Sequence, residues 1–594
     1  MNKNRKKILS LCLSGHGLSG AIFIDGFVKV ASTLERISRL KNDILLPISM
    51  QDLKDFGWNA SPKIYKNSID LPFDFELKPK DVIFEENKKF NIFLNYLLIE
   101  ANLKISEIEC VVYSYRYIKQ AKSYFKKKAP NAEFLVPEHH LSHACQAFFT
   151  SNFDEAAIMI VDGQGVPMDR TFGDQLSGCI GYGNKEQIQI YEEFPVKYSL
   201  GSMYSSFTSK IGFKTNEEGK TMGLAPYGTD KIFKKMRKDL LFDVSKFDLK
   251  NLRKLFFNKF QPEHFTYILP NYIKFLNNYP NRKIDQPISE IHKDLAFAVQ
   301  KITEEVMIYI ANKVYKKTKS KNLCIAGGVG LNCVANYQVL RNSPFKNIYI
   351  HPNPGDNGLV IGQALWAYRL GQKHKNKYIA THDYLGKKYS KNDFKLALNF
   401  LNSNPNVSIV ECKNIDDLYQ NIAKDIMDGK IASWFQGRSE FGPRALGNRS
   451  ILADPRRADM KDILNLRVKF RESFRPFTPS VLDENCQEFF ELNFSSPFML
   501  HAAYVKKDKI KQIPAVTHVD NTARIQTVSK DVNERYYNLI KKFKNLTKIP
   551  MLLDTSFNVA GEPIVESPLD AVKCFMSTDI DVLGIDKFYV KKIK

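Results

Sequence analysis

Apolar runs of strand length recur along the first two thirds of the chain: ILSLCL, AIFI, CVVYS, AAIMIVD, NLCIAG and NIYIH. Stretches with helical spacing separate them, notably 289–316, and 414–428 follows further on. Strands alternating with helices define an α/β chain. Asp25-Gly26, between AIFI and FVKVAS, predicts a tight hairpin, because both residue types tolerate the left-handed backbone that such a turn needs. Residues 230–285 are rich in Lys, Phe and Asn and lack strand signals, which predicts a helical insertion. The polar stretch LGQKHKNKYIATHDYLGKKYSKN (370–392) is the best linker, dividing the chain into domains 1–380 and 381–594. No internal repeat is visible in the sequence.

Charge narrows the partners only partly. Lys and Arg number 87 against 64 Asp and Glu over 594 residues, a net +23 that attracts nucleotides, nucleic acid and acidic surfaces alike. Much of the excess is lysine scattered through segments such as 231–259, the pattern of a solvated surface. There is no arginine-rich tail, no basic stripe with interleaved aromatics and no zinc-finger spacing, so sequence-specific nucleic-acid binding is not expected. Nine dispersed cysteines without a CxxC pair predict a reduced, cytoplasmic chain. No run approaches the ~18 apolar residues of a membrane helix. Lys3 to Lys7 before ILSLCLS resembles a signal peptide, but His16 and its neighbouring glycines interrupt the run, and the hairpin signal assigns it to a folded sheet.

Three kinds of segment carry candidate chemistry. In GRSEFGPRALGNRS, Gly437, Gly442 and Gly447 fall every five residues among Arg438, Arg444 and Arg449. Glycine lets backbone N–H groups approach a ligand and guanidinium grips phosphate or carboxylate oxygens, so the loop reads either as an anion cradle or as a tight turn with solvated arginines. In PEHHLSHA, Pro137 suits a helix start and the i, i+4 spacing puts His139 and His143 on one face. Asp162 ends the strand AAIMIVD and Asp356 follows NIYIH, where open α/β sheets place ligand-binding residues. Two imidazoles with carboxylates suit iron, manganese or zinc. Finally, GGVGLN (327–332) and EEGKTMGLAPYG (217–228) offer flexible backbone to a nucleotide without P-loop spacing, and either could be a plain turn.

Taken in order, PEHHLSHA, VDGQG, EEGKTMGLAPYG, GGVGLN, GDNG, GRSEFGPRALGNRSILADPR, FRESFRPFTPSVL, VTHVDNTARIQTV and DTSFNVAGEPIVESP resemble the NodU/CmcH-type O-carbamoyltransferases from about Leu9 to Phe588. The resemblance implies an N-terminal ASKHA-type domain (actin-like ATPase/sugar kinase) followed by a YrdC-like α/β domain. It implies that carbamoyl phosphate and ATP, with Mg2+, form carbamoyl adenylate in the C-terminal domain. The carbamoyl group then passes to a hydroxyl of a sugar, natural product or surface glycan in the N-terminal domain.

Residue by residue, Arg444, Lys469, Arg475 and Arg524 match the positions that meet ATP and carbamoyl phosphate. Asp554, Ser556 and Asn558 in DTSFN are polar contacts to the same ligands or, as a motif, a capped turn. Arg438 and Arg449 are open to structural roles. His16 matches the family base and Lys41 a catalytic, adenylate-holding lysine, with Gly328 and Asn332 beside the adenylate. His139, His143, Asp162 and Asp356 match the metal ligands, with Fe2+ favoured over Mn2+ or Zn2+. Gly17-Leu18 departs from the common pattern, in which an acidic residue follows the histidine; this bears on acceptor recognition more than on catalysis. Rival readings are a threonylcarbamoyl-type enzyme acting on tRNA, which would not need the GPRALG and FRPF segments together, and a non-enzymatic, nucleotide-regulated scaffold. A hydrogenase-maturation carbamoyltransferase would carry CxxC zinc pairs that this chain lacks. A homo-oligomer stays open.

Overall fold

The computed structural model describes residues 6–43, 45, 64–65, 68–69, 87–115, 118–165, 175–214, 216–239, 270–370, 378–401 and 404–593. They form two compact units. The first comprises Met1–Lys29, Ile44–Lys63 and Asp70–Ala380, the second Val30–Asp43, Ile64–Ile69 and Thr381–Lys594.

Every apolar run singled out in the first two thirds of the sequence forms a strand. β1 (Lys7–Ser14), β2 (Gly17–Ile24) and β3 (Phe27–Thr33) are followed by a short pair, β4 (Ile64–Tyr65) and β5 (Ser68–Ile69), then by β6 (Cys110–Tyr115) and β7 (Glu133–Leu135). They build a five-stranded sheet in the order β3-β2-β1-β6-β7, with β4 and β5 pairing separately. β8 (Ala156–Gly165), β9 (Leu176–Gly183), β10 (Ile188–Pro195), β11 (Asn322–Ala326) and β12 (Asn347–Ile350) build a second in the order β10-β9-β8-β11-β12. In each sheet the first strand is central, antiparallel to the second and parallel to the fourth, and the fourth is parallel to the fifth. The fold therefore repeats itself where the sequence does not, because a buried central strand requires only an apolar run of the right length. The β2–β3 turn holds Asp25 at φ 52° and Gly26 at φ 86°, the left-handed pair expected of a tight hairpin.

Two helices fill the interior of this unit. His139–Phe149 packs on β8 and β11, Leu359–Arg369 packs on β1, β2 and β6, and the two pack on each other. Their close approach rests on Gly362, where a Cβ would run into the Ser142 carbonyl. The long helix Glu290–Thr318 starts at a Ser289/His292 capping box and covers β8 and β9. EEGKTMGLAPYG, expected as a flexible loop, is instead the helix Glu218–Leu224 and a 3-10 turn, Ala225–Tyr227. Of the expected helical insertion, Lys231–Asp239 and Pro270–Asn277 are helices and 240–269 lies outside the described residues.

The second unit centres on an eight-stranded sheet. Its strands are β13 (Val407–Glu411), β14 (Ala432–Phe435), β15 (Arg449–Ala453), β16 (Thr478–Leu482), β19 (Gln526–Val528), β20 (Met551–Ser556), β21 (Val582–Ile585) and β22 (Phe588–Lys592). β17 (Ala502–Tyr504) and β18 (Thr522–Arg524) pair apart from it. The order is β13-β22-β21-β14-β15-β20-β16-β19. Helices Ile415–Met427 and Glu534–Thr547 pack together against it, burying one apolar stripe each. The N-terminal segment Val30–Asp43 belongs to this unit. Ala31 N–H donates to the Leu385 carbonyl (3.0 Å), buried Arg36 to the Gly442 carbonyl (2.9 Å), and Arg39 to the Ile564 and Pro563 carbonyls (2.7 and 2.8 Å).

Candidate metal centre and cation cluster

The second sheet of the N-terminal unit brings both aspartates to one edge. β8, β11 and β12 run parallel, so Asp162, near the end of β8, and Asp356, in the turn after β12, emerge at the same side. The helix His139–Phe149 begins there, and its first and second turns point His139 and His143 at the carboxylates. One ligand atom from each of the four residues lies within 4.8 Å of the others, and all four are buried. His139 Nε2 is 3.0 Å from Asp162 Oδ2 and 3.6 Å from Asp356 Oδ1. His143 Nε2 is 3.7 Å and 3.5 Å from the same two oxygens.

Electrostatics fit a cation here. Burial alone would lower the His143 pKa, but Asp162 and Asp356 outweigh it and lift the imidazole to about 9. Burial alone would raise Asp162, but His139 and His143 hold its carboxyl well below the usual range. His143 Nε2 is a buried nitrogen with no hydrogen-bond partner, aimed at two carboxylates. Two imidazoles and two carboxylates are the donor set of a divalent first-row metal, and these residues fit one. Gly328, expected beside an adenylate, donates its N–H to Asp162 Oδ1 (2.9 Å) and so holds the second carboxylate oxygen. Asn332 is buried and already used: Oδ1 caps the helix Cys333–Asn342 through Ala335 N–H (3.0 Å) and Nδ2 donates to Gln300 (3.0 Å). His16 lies exposed in the β1–β2 turn, and β1 and β2 pack against the Asp356–Gly358 turn. Lys41, read as part of the N-terminal domain, is exposed in the segment that joins the second unit.

The Arg/Gly loop differs from the expected cradle. Its N–H groups are spent internally: Leu446 and Asn448 donate to Glu440 Oε1 (2.8 and 2.9 Å), and Gly442 donates to Asp383 (2.7 Å). Buried Glu440 is thus the acceptor for the loop's N–H groups, Arg449 N–H (3.3 Å) included. Arg449 is structural, donating to the Gln436 and Asn448 carbonyls and lying 3.6 Å over the Phe435 ring. Arg438 straps the Gly386 and Leu385 carbonyls (2.7 and 3.0 Å). Arg444 is half-buried at the loop's tip.

A further group of cations lies beyond that loop. Lys469 ends a π turn, Asn465–Lys469, and is buried with its ammonium donating to Ser556 and to the backbone and side-chain oxygens of Asn558 (3.0 and 2.8 Å). These are neutral oxygens, so burial and the nearby Arg471 and Arg475 depress its pKa well below the usual lysine value. Burial likewise depresses Arg471, with Arg475 and Arg524 adding to the effect. Arg524 donates to Thr478 Oγ1 (3.1 and 2.9 Å). Asp554 faces away from this role: it accepts from Tyr536 (2.8 Å) and Ser480 (2.9 Å), and burial raises its carboxyl to about 7. Sequence reading missed Arg471 and Glu440, although Arg471 and Arg475 stand at i, i+4 in FRESFR.

The chain matches the carbamoyltransferase N-terminus family over residues 84–365 and the carbamoyltransferase C-terminus family over 423–592. It is 40% identical to "Uncharacterized protein sll1178" of Synechocystis over 77% of this chain and 76% of that one. It is 33% identical to "Nodulation protein NolNO" of Sinorhizobium fredii, covering 89% and 81%. Among solved structures, HypF of T.kodakarensis aligns at a TM-score of 0.34 and 13% identity over 61% of this chain and 48% of its own, too slight to carry an argument. The chain belongs to the carbamoyltransferase family and is a carbamoyltransferase.

Proposed function

We propose that this enzyme forms carbamoyl adenylate from ATP, carbamoyl phosphate and water in its C-terminal unit, releasing phosphate and pyrophosphate, and transfers the carbamoyl group to an acceptor hydroxyl in its N-terminal unit, releasing AMP and a proton. The observation that carries the first half is the Lys469, Arg471, Arg475, Arg524 group. Burial and the neighbouring arginines depress the pKa of both Lys469 and Arg471, so a buried cluster of this kind favours a polyanionic ligand, and two phosphorylated substrates held together are one. Mg2+ accompanies ATP. We read Ser556 and Asn558, both hydrogen-bonded by Lys469, as contacts to the carbamoyl group or nucleotide.

In the second half, His139, His143, Asp162 and Asp356 hold a divalent metal, Fe2+ in this reading, which when bound supplies positive charge to the transferred group. His16 accepts the hydroxyl proton, its exposure giving an acceptor access. Gly328, whose N–H already holds Asp162, lines the adenylate in this unit, Asn332 supports that turn through the helix it caps, and Lys41 is assigned its catalytic role separately, within the second unit. The repeated strand order of the N-terminal unit supports an actin-like, sugar-kinase type of fold there, and we assign the C-terminal unit to the YrdC-like class. The acceptor is a sugar, natural product or surface glycan, and the setting cytoplasmic; among the described residues no helix is long and apolar enough to cross a membrane.

Pyrophosphate exchange into ATP tests this without an acceptor. Exchange is expected only with carbamoyl phosphate present, in Asp162→Asn as in wild type, and is expected to vanish in Arg444→Ala. Exchange that ignores carbamoyl phosphate, or that Asp162→Asn abolishes, would sink this division of labour.

A further inference from the structure

Gln146 is fully buried one helical turn after His143, and each of its amide atoms has a defined partner. Its Nε2 reaches the Asn353 carbonyl and, at 3.2 Å, His351 Nδ1; its Oε1 lies 3.1 Å from His143 Nδ1. The two ends of an amide are not interchangeable here. A carbonyl only accepts, so the amide nitrogen must face Asn353, and the oxygen must face His143. His351 Nδ1, 3.1 Å from Asn353 N–H and 3.2 Å from the Asn353 carbonyl, adds a further contact to the same amide nitrogen. The Gln146 oxygen, able only to accept, requires the proton of neutral His143 on Nδ1. In the neutral form that a metal ligand requires, that leaves the Nε2 lone pair facing Asp162 and Asp356.

The same amide reaches across to a second ligand. Asn353 lies three residues before Asp356 in the loop that follows β12. Two glycines keep room for this joint: a Cβ at Gly358 would overlap both Asn353 O and Gln146 Nε2, and one at Gly362 would press on Gln146. We propose that Gln146 is a positioning residue that fixes His143 as the Nδ1–H tautomer and ties it to the Asp356 loop, so that helix and loop present their ligands together. This rests on the reading of the four residues as a metal centre. An outer partner that orients a histidine ligand typically governs metal affinity by about 10–100-fold.

The test uses the full-length protein stripped by chelation and titrated with Co2+, followed by calorimetry and visible absorption. Wild type is expected to bind Co2+ at one site with a d–d band. Gln146→Met, of similar volume but without either hydrogen bond, should bind about 10–100-fold more weakly with the band displaced. Gln146→Glu keeps an acceptor for the Nδ1–H but sets its other oxygen against the Asn353 carbonyl, so it is expected to recover only part of that affinity, with a band shifted from wild type. A side chain that merely filled space would leave the Co2+ spectrum unchanged. Wild-type affinity and spectrum in Gln146→Met would overturn the proposal. Should that variant not fold, as judged by circular dichroism, an unshifted band in Gln146→Glu overturns it instead. Wild type that takes up no Co2+ would sink the metal reading itself, which is a separate outcome.

Discussion

At the residue scale, Lys469 shows how an ion can be buried without a counter-ion. Desolvating an ammonium is costly, and the oxygens of Ser556 and Asn558 offset only part of that. A phosphate ligand would supply the rest. Lys469→Met removes a charge whose desolvation is only partly offset, so stability should hold or rise, read from denaturant midpoints. Carbamoyl phosphate-dependent exchange should fall by about 100-fold or more. Exchange within a few fold of wild type would remove Lys469 from the site. Much of the His139, His143, Asp162, Asp356 cluster was legible in the sequence, since i, i+4 histidines and strand-end aspartates are spacings that local geometry preserves. The sequence could not reveal Gln146, because that role depends on a carbonyl 207 residues away. Glu440 was hidden for a related reason: a carboxylate inside a Gly/Arg run looks like part of an anion's surroundings, whereas in the fold it accepts from the loop's own N–H groups.

At the scale of elements, the glycine-rich loop depends unequally on its glycines. Gly447 adopts φ 97°, and a Cβ there would overlap the buried Tyr536 ring; Gly437 adopts φ 48° with only the Asn448 amide nearby, at 3.2 Å. Gly447→Ala should therefore cost about 3 kcal/mol, and Gly437→Ala only about 1 kcal/mol, a contrast that melting temperatures would show. Equal costs would mean that the loop repacks. The loop also carries a pH signature through Asp383, which accepts from Gly442 N–H. Burial, reinforced by Glu440, raises its carboxyl to about 8 although the Gly442 bond and Arg36 pull downward. A carboxyl raised above its unfolded value stabilises fully below about pH 4, and this contribution is lost as pH rises through about 8. Asp383→Asn, still an acceptor, should thus gain stability relative to wild type between pH 5 and pH 9; a pH-independent difference would contradict the shift. Strands and the helices Glu290–Thr318 and Ile415–Met427 were legible because apolar period and caps are local. EEGKTMGLAPYG was not: glycines suggest a loop, yet Thr221, Gly223 and Leu224 are buried on a helix whose packing overrides propensity.

For the whole molecule, the N-terminal unit's twofold use of one strand order escaped the sequence, since β1 and β8 share burial rather than residues. The compact units part between Ala380 and Thr381, within the polar stretch 370–392, whereas no sequence signal marks Val30–Asp43 as part of the later unit. That segment inserts a buried arginine, Arg36, whose guanidinium donates to the Gly442 carbonyl, and a second, Arg39, that satisfies two carbonyls at residues 563 and 564. A fragment beginning at Thr381 lacks these donors, and the carbonyls they serve are left to find water or remain unpaired, each at about 1–3 kcal/mol where burial excludes water. Such a fragment should therefore unfold at lower denaturant than the intact chain's C-terminal unit. A synthetic peptide covering residues 27–43 should raise that midpoint in proportion to its concentration, as expected of a ligand that binds only the folded state. Replacing Arg36 and Arg39 in the peptide with norleucine should abolish the gain. A fragment that is fully stable alone and indifferent to the peptide would show that the N-terminal segment decorates this unit rather than completing it, and would return the boundary to a single cut at residue 380.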